Sequence, residues 1–199
     1  MKTVFFDTVF FDIDTQLDFL YPAGALYVPG AERIVEQIAS LNRFAGARGV
    51  PVISTMDAHA ENDPEFESWP AHCVAGTIGQ QKPASTLLER RVVVGNRPSG
   101  IAIDGAQQIL LEKQALDCFT AMNLQAILDQ LGAERYVVYG VAADVCVKFA
   151  AEGLLKTGKR VVLVTDAVRG LSDSAVKEMA AAFVALGGML TTAGVVRHV

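Results

Sequence analysis

Short runs of apolar residues, apolar nearly throughout and not only at every second position, constrain the fold of this chain more than any other feature. They lie at Val9 to Ile13, Val50 to Ser54, Val92 to Val94, Ile109 to Leu111, Tyr136 to Val141 and Val161 to Val164, with a last candidate at Met189 to Thr192. A strand that is apolar on both sides has to be covered on both sides. The segments between these runs carry helical spacing: Ala31 to Arg48, with Ile34, Ile38, Leu41 and Ala45 on one stripe, Met122 to Leu131, Ala143 to Leu155 and Ser174 to Leu186. Alternation of the two predicts an α/β three-layer sandwich, with a central, mostly parallel sheet of about six strands and helices on both faces. Sheets of this kind place their chemistry at the C-terminal ends of the strands.

With 199 residues, 51% of them hydrophobic, the chain can bury one substantial core, and a single domain over 1–199 is expected. The stretch from Gln80 to Gln108 carries Lys82, Pro83, Asn96, Arg97, Pro98, Ser99 and Gly100 with little periodicity, and reads as an excursion or arm at about 80–108. A formal net charge of -5 leaves no surplus of lysine and arginine to displace counterions from a phosphate backbone. A small molecule is therefore the expected partner, not nucleic acid. No apolar run approaches the roughly 20 residues that span a bilayer. Met1 to Asp7 reaches an acid before any signal-like apolar region develops, so a cytoplasmic location, away from membranes, is expected. Three cysteines, Cys73, Cys118 and Cys146, are odd in number and irregularly spaced, which favours free thiols over a disulfide framework.

Three segments carry residues suited to chemistry. The first strand ends in Phe11-Asp12-Ile13-Asp14-Thr15-Gln16-Leu17-Asp18-Phe19, which brings carboxylates to the place where the sheet meets its first loop. An aspartate there serves equally well as a turn or helix cap. The second strand runs into Asp57-Ala58-His59, then Glu61, Asp63, Glu65 and Glu67, then Trp69-Pro70-Ala71-His72-Cys73. Asp57 and His59 at i and i+2 point the same way from extended backbone, and His72 can close the set from a loop. One carboxylate and two imidazoles suit zinc, iron or manganese and leave positions open. Gly140-Val141-Ala142-Ala143-Asp144-Val145-Cys146 converts a buried strand into a helix, where unpaired N–H groups favour a thiolate and can hold an oxyanion. Lys113 follows Ile109-Leu110-Leu111 and should emerge at a strand end as well.

An acid after the first strand, a lysine after a middle strand and Gly-Val-Ala-x-x-x-Cys after the next resemble the isochorismatase-like cysteine hydrolases over most of the chain. Asp14-x-Gln16-x-Asp18-Phe19 followed by Pro22-x-Gly24-x-Leu26-x-Val28 is similar to that family's first strand and loop. Asp57-x-His59 with Trp69-Pro70-x-His72-Cys73 is similar to the metal site of its nicotinamidase/pyrazinamidase members. The resemblance implies Cys146 as nucleophile, Asp14 as proton acceptor and Lys113 beside them. It also implies an oxyanion hole from the N–H groups of Ala142 and Cys146 and a cis peptide between Val141 and Ala142. Phe19 and Trp69 are the expected walls of the substrate pocket. The implied cofactor is a divalent metal ion, zinc before iron or manganese, on Asp57, His59 and His72; a fourth ligand, if the protein supplies one, is Glu61, Asp63 or Glu65. The implied partner is a small amide, and the implied assembly a homodimer or homotetramer. After Lys113, Gln114 to Thr120 is shorter than the corresponding nicotinamidase loop and lacks its tyrosine, which leaves another amide, ureido or carbamoyl compound as an alternative substrate. Two remoter alternatives are a binding module and a phosphatase of the haloacid dehalogenase type, with Asp12 as nucleophile and Asp14 as acid.

Overall fold

A computed structural model of the chain describes residues 7–98 and 100–197. The expectation drawn from Met1 to Asp7 thus rests, apart from Asp7, on residues outside that range, as does Ser99 of the 80–108 segment. In chain order the elements are β1 (Thr8–Ile13), α1 (Leu17–Leu20), a 3-10 turn (Ala31–Ile34) leading into α2 (Val35–Ala47), β2 (Val52–Asp57), β3 (Arg91–Val94), β4 (Gln108–Lys113), α3 (Leu124–Leu131), β5 (Arg135–Gly140), a π-helical turn (Ala143–Val147) leading into α4 (Lys148–Lys156), β6 (Arg160–Val168), α5 (Asp173–Ala185), β7 (Met189–Thr191) and α6 (Ala193–Val196). Among the described residues no helix is long and apolar enough to cross a membrane.

The strands form one sheet in the order β3-β4-β2-β1-β5-β6-β7, and every neighbouring pair is parallel. The sheet has seven strands, the last candidate, Met189 to Thr191, pairing with β6 at the edge. β2 begins later and ends later than its apolar run: Pro51 has no N–H to give a ladder, and the polar Thr55 and Asp57 continue the strand because their polar groups find buried partners. Alternation along β1 divides the two faces. Phe10 packs on Phe44 of α2 and edge-on to Tyr139, whereas Phe11 meets Tyr136 on the side covered by α3 and α4.

Residues 80–108, expected to leave the fold as an excursion, lie largely against it. Lys82, Thr86 and Leu88 are buried, Asn42 of α2 donates to Thr86 O at 2.7 Å, and β3 adds the edge strand beside β4. The chain builds outward from β1 in one direction through β2, β4 and β3, and in the other through β5, β6 and β7. Where strand order reverses in this way, the loops after the two central strands diverge to opposite faces and leave a crevice. Here that crevice lies between the ends of β1 and β5.

Candidate active site

Asp14 follows the last residue of β1 in the left-handed region, with φ of 47°. Its N–H donates to Thr55 O at 3.2 Å, and the Thr55 hydroxyl donates to Asp14 Oδ1 at 2.6 Å. Aspartate tolerates this backbone better than most residues, and bonds from the next strand hold it there. Lys113 is the last residue of β4 and is fully buried. Its Nζ lies 2.9 Å from Asp14 Oδ2, and it donates to Asp57 Oδ1 and, at 3.0 Å, to Ala115 O. Cys146 enters from the π-helical turn after β5. The crevice therefore gathers an ammonium, two carboxyls and a thiol on the ends of four parallel strands.

Burial sets the titration of this group. It raises the Asp14 carboxyl above the usual aspartate range; Lys113 opposes the shift, and the Asp57 carboxylate adds to it. Burial also pushes the Cys146 thiol well up. Lys113 opposes that rise, while Asp14 and Asp57 reinforce it, Asp14 also through a hydrogen bond to the thiol. Burial works against the Lys113 ammonium, but the two facing carboxylates outweigh it and hold its pKa well above the ordinary lysine value. At Asp57 burial is outweighed by Lys113 and His59, so its carboxylate stays ionised below the usual range. The Cys146 thiol and the Asp14 carboxyl thus lie side by side, each raised by burial and each opposed by Lys113.

Asp57, His59 and His72 are all buried and present ligand atoms within 4.8 Å of one another. His59 Nε2 and His72 Nε2 each lie 3.8 Å from Asp57 Oδ2, too far for a hydrogen bond. That spacing is close to the roughly 3 to 3.5 Å expected of ligands sharing one ion at bond lengths near 2.1 Å. His72 Nδ1 lies 2.7 Å from Pro70 O, so its N–H is spoken for and Nε2 faces Asp57 as an acceptor. Both ring nitrogens of the fully buried His59 lack a well-aligned hydrogen bond among the described residues, although Nδ1 is 3.1 Å from Asp63 Oδ2. Buried polar atoms left in this way are costly without a partner, and a divalent ion at Nε2 supplies one. The three residues fit such an ion. Of the carboxylates considered for a fourth position, Glu65 is the one facing the set, with Oε1 3.8 Å from His72 Nε2. Asp63 instead backs His59 and caps the 3-10 turn Pro64–Glu67, and Glu61 is exposed.

A narrow cavity opens beside these groups. Phe19 and Trp69 line it, with Leu26, Val28, Leu116, Val141, Val145 and Leu171, and its polar lining comes from Asp57, Glu65, His72 and Cys146. Ala142 also faces it, and the Val141–Ala142 peptide is cis, as the sequence resemblance implied. No lysine or arginine is among the lining residues. The structure thus brings Asp14, Lys113 and Cys146 together with Asp57, His59 and His72, and sets Phe19 and Trp69 in the wall beside Cys146.

Sequence reasoning missed the residues that aim these groups. Gln16 is fully buried; its Nε2 donates to Asp57 O and Gln80 O at 2.8 Å each, and its Oε1 accepts from Asp57 N–H at 2.7 Å. Asp18 accepts from the N–H of Cys73 at 2.7 Å and of Ala25 at 3.0 Å, shaping the loop that delivers His72. Both stood in the Asp-x-Gln-x-Asp-Phe pattern, which signalled them without revealing their partners. The phosphatase reading is corrected: Asp12, its nucleophile, is sealed in the core on the α2 side of β1, where it accepts from Thr15, Ser54 and Asn42 and faces Lys82.

Comparison with known proteins agrees with this geometry. The isochorismatase domain matches residues 8–194. A nicotinamidase of Escherichia coli is 27% identical over 188 residues, covering 80% of this chain and 82% of the relative. A nicotinamidase/pyrazinamidase of Mycobacterium tuberculosis is 29% identical over 185 residues, covering 87% and 95%. The structure superposes on a zinc complex of the pyrazinamidase of Pyrococcus horikoshii with a TM-score of 0.77 at 26% identity, over 94% of this chain and 99% of that one.

Proposed function

Because the chain belongs to the isochorismatase-domain family, we propose that it is an amidohydrolase that converts nicotinamide, or a pyrazine carboxamide of the same shape, to the carboxylic acid and ammonia through a thioester on Cys146. The observation that carries this reading is a narrow apolar cavity lined on one side by Cys146, with the Asp14–Lys113 pair buried behind it, and on its polar side by Asp57, Glu65 and His72. A flat, uncharged ring with a nitrogen acceptor satisfies both sides.

In the reaction Asp14 takes the thiol proton of Cys146, and Lys113 offsets the negative charge that remains shared between them. The thiolate sulfur bonds to the amide carbon, and the N–H groups of Ala142 and Cys146 receive the developing oxyanion. Asp14 returns the proton to the amide nitrogen as the carbon–nitrogen bond breaks, releasing ammonia and leaving a thioester. It then takes a proton from water, whose oxygen attacks the thioester carbon; the carbon–sulfur bond breaks, the acid leaves, and Asp14 returns the proton to the Cys146 sulfur. A divalent ion, zinc in the first instance, held by Asp57, His59 and His72 with Glu65 near, would supply a Lewis-acid anchor for the ring nitrogen. Phe19 and Trp69 hold the ring in plane and exclude water.

The test is ammonia release from nicotinamide by zinc-loaded protein against Cys146→Ala as the blank. Release by the wild type alone, abolished by a chelator and restored by zinc, is expected. A folded, metal-loaded protein that releases none above the blank would overturn the reading.

A further inference from the structure

On the α2 side of β1, directly behind the Asp14 turn, lies a second buried charged group that the reaction does not use. Lys82 is 6% exposed and its side chain is almost wholly enclosed. Its Nζ donates to Thr15 Oγ1 at 2.8 Å and lies 3.4 Å from Asp12 Oδ2. The Thr15 hydroxyl in turn donates to Asp12 Oδ1 at 2.7 Å. Asp12 also accepts from Ser54 Oγ at 2.9 Å and from Asn42 at 3.3 Å, and Asn42 accepts from the Tyr139 hydroxyl. Every polar group in this cluster is satisfied, but a buried ion pair of this kind is seldom worth more to stability than apolar residues filling the same space. Its position relative to the turn is what distinguishes it.

Three consecutive residues of that turn are fastened to three consecutive residues of one segment. Lys82 holds the Thr15 side chain, Gln80 O accepts from the Gln16 amide at 2.8 Å, and Gln81 O accepts from Leu17 N–H at 2.8 Å. Asp14, the residue just before them, has φ of 47°. A non-glycine residue stays in the left-handed region only where its surroundings over-determine it, and the cost of that conformation is on the order of 1 kcal/mol. Thr55 supplies the restraint from β2, and Lys82 supplies it from behind.

We propose that Lys82 is a positioning residue, acting through Thr15 to hold the backbone turn that aims the Asp14 carboxyl at Cys146 and Lys113. The start of the 80–108 segment is then a staple on the active-site turn. The proposal rests on the roles given above to Asp14 and Cys146.

Two variants separate positioning from plain stability. Thr15→Val keeps the volume and removes the hydroxyl, and Thr15→Ser restores it. The double variant Asp12→Asn/Lys82→Met removes both buried charges, so that neither is left unpaired, and with them the ammonium on Thr15. In zinc-loaded protein, kcat on nicotinamide is expected to fall roughly 10- to 100-fold in Thr15→Val and in the double variant, the effect of a displacement near 1 Å. KM should stay within about twofold, the melting temperature within a few degrees, and Thr15→Ser should match the wild type. Wild-type kcat in both test variants, or a parallel loss of kcat, KM and melting temperature that Thr15→Ser shares, overturns the proposal. If the wild type releases no ammonia, the functional reading falls and this one is decided by iodoacetamide alkylation of Cys146 at neutral pH. An alkylation rate that changes from wild type in Thr15→Val and the double variant but not in Thr15→Ser supports the staple; unchanged rates overturn it.

Discussion

Lys113 carries the charge balance of the site, since it is a fully buried ammonium facing two carboxylates. Lys113→Met leaves those carboxylates together in the core, and removing one partner of a buried ion pair costs about 3 to 5 kcal/mol. Urea denaturation of that variant should show a loss of this size together with loss of turnover; an unchanged midpoint would contradict the geometry. Asp14 gives a pH prediction. Its folded-state pKa is raised, so the folded protein holds that proton more tightly than the unfolded chain does. The stability this group contributes is present below the unfolded pKa and is lost as pH rises through the raised folded value, whereas the proposed reaction requires the ionised carboxyl to accept the thiol proton. Turnover should therefore rise with pH through a limb lying above the ordinary aspartate range. Asp14→Asn should lower kcat by about three orders of magnitude or more while melting no lower than the wild type at neutral pH. A pH–rate profile flat down to the usual aspartate value, or an Asp14→Asn protein that melts early, would count against the assignment.

Two elements do the positioning, and each has its own test. From the end of β2 to Cys73 the chain leaves the sheet, turns through Pro64–Glu67 under the Asp63 cap and returns with His72 next to Cys73, where φ is 45° and Asp18 accepts the N–H. This loop, more than the strand, decides which acid can join Asp57, His59 and His72. Glu65→Gln should weaken zinc binding about 10- to 100-fold by competition titration, and Glu61→Gln, at an exposed position, should leave it unchanged. Equal effects of the two would remove Glu65 from the site. The second element is the crossing at Gly140, where φ is 125° and an added Cβ would lie 2.1 Å from Ile13 O. The backbones of β1 and β5 approach there so that Asp14 and the Cys146 turn share one crevice. Gly140→Ala should cost about 2 kcal/mol or more in denaturation and lose activity out of proportion to that, because relief of the clash separates the two loops.

At the scale of the molecule, an ion at Asp57, His59 and His72 would couple the sheet to the loop that follows β2. Asp57 ends a central strand and His72 sits in a loop fastened to α1 through Asp18, so an ion bridging them ties the loop layer to the sheet. Zinc at about 100 times its dissociation constant stabilises the native state by about 2.7 kcal/mol, which for a chain of this size raises the melting temperature by several degrees. Differential scanning fluorimetry should show that rise in the wild type and lose it in His72→Ala; a similar rise in both would place the zinc elsewhere. Much of this organisation was legible in the sequence, and the boundary of what was legible has a physical cause. Apolar runs such as Val9 to Ile13 and Tyr136 to Val141 announce buried strands, because burial on both faces admits few polar side chains. Asp14, Lys113 and Cys146 stood out together through the family resemblance of their segments, and the parallel strands bring the ends that carry them to one side of the sheet. The tertiary structure alone decided the rest. Gln16, Asp18 and Lys82 earn their places through partners some 40 to 67 residues away, such as Asp57, Cys73 and Thr15, and no local periodicity reports a hydrogen bond across that separation. The 80–108 segment was opaque for the same reason: Lys82 and Thr86 look solvated in sequence, but both are buried because Asp12, Thr15 and Asn42 meet them from other elements.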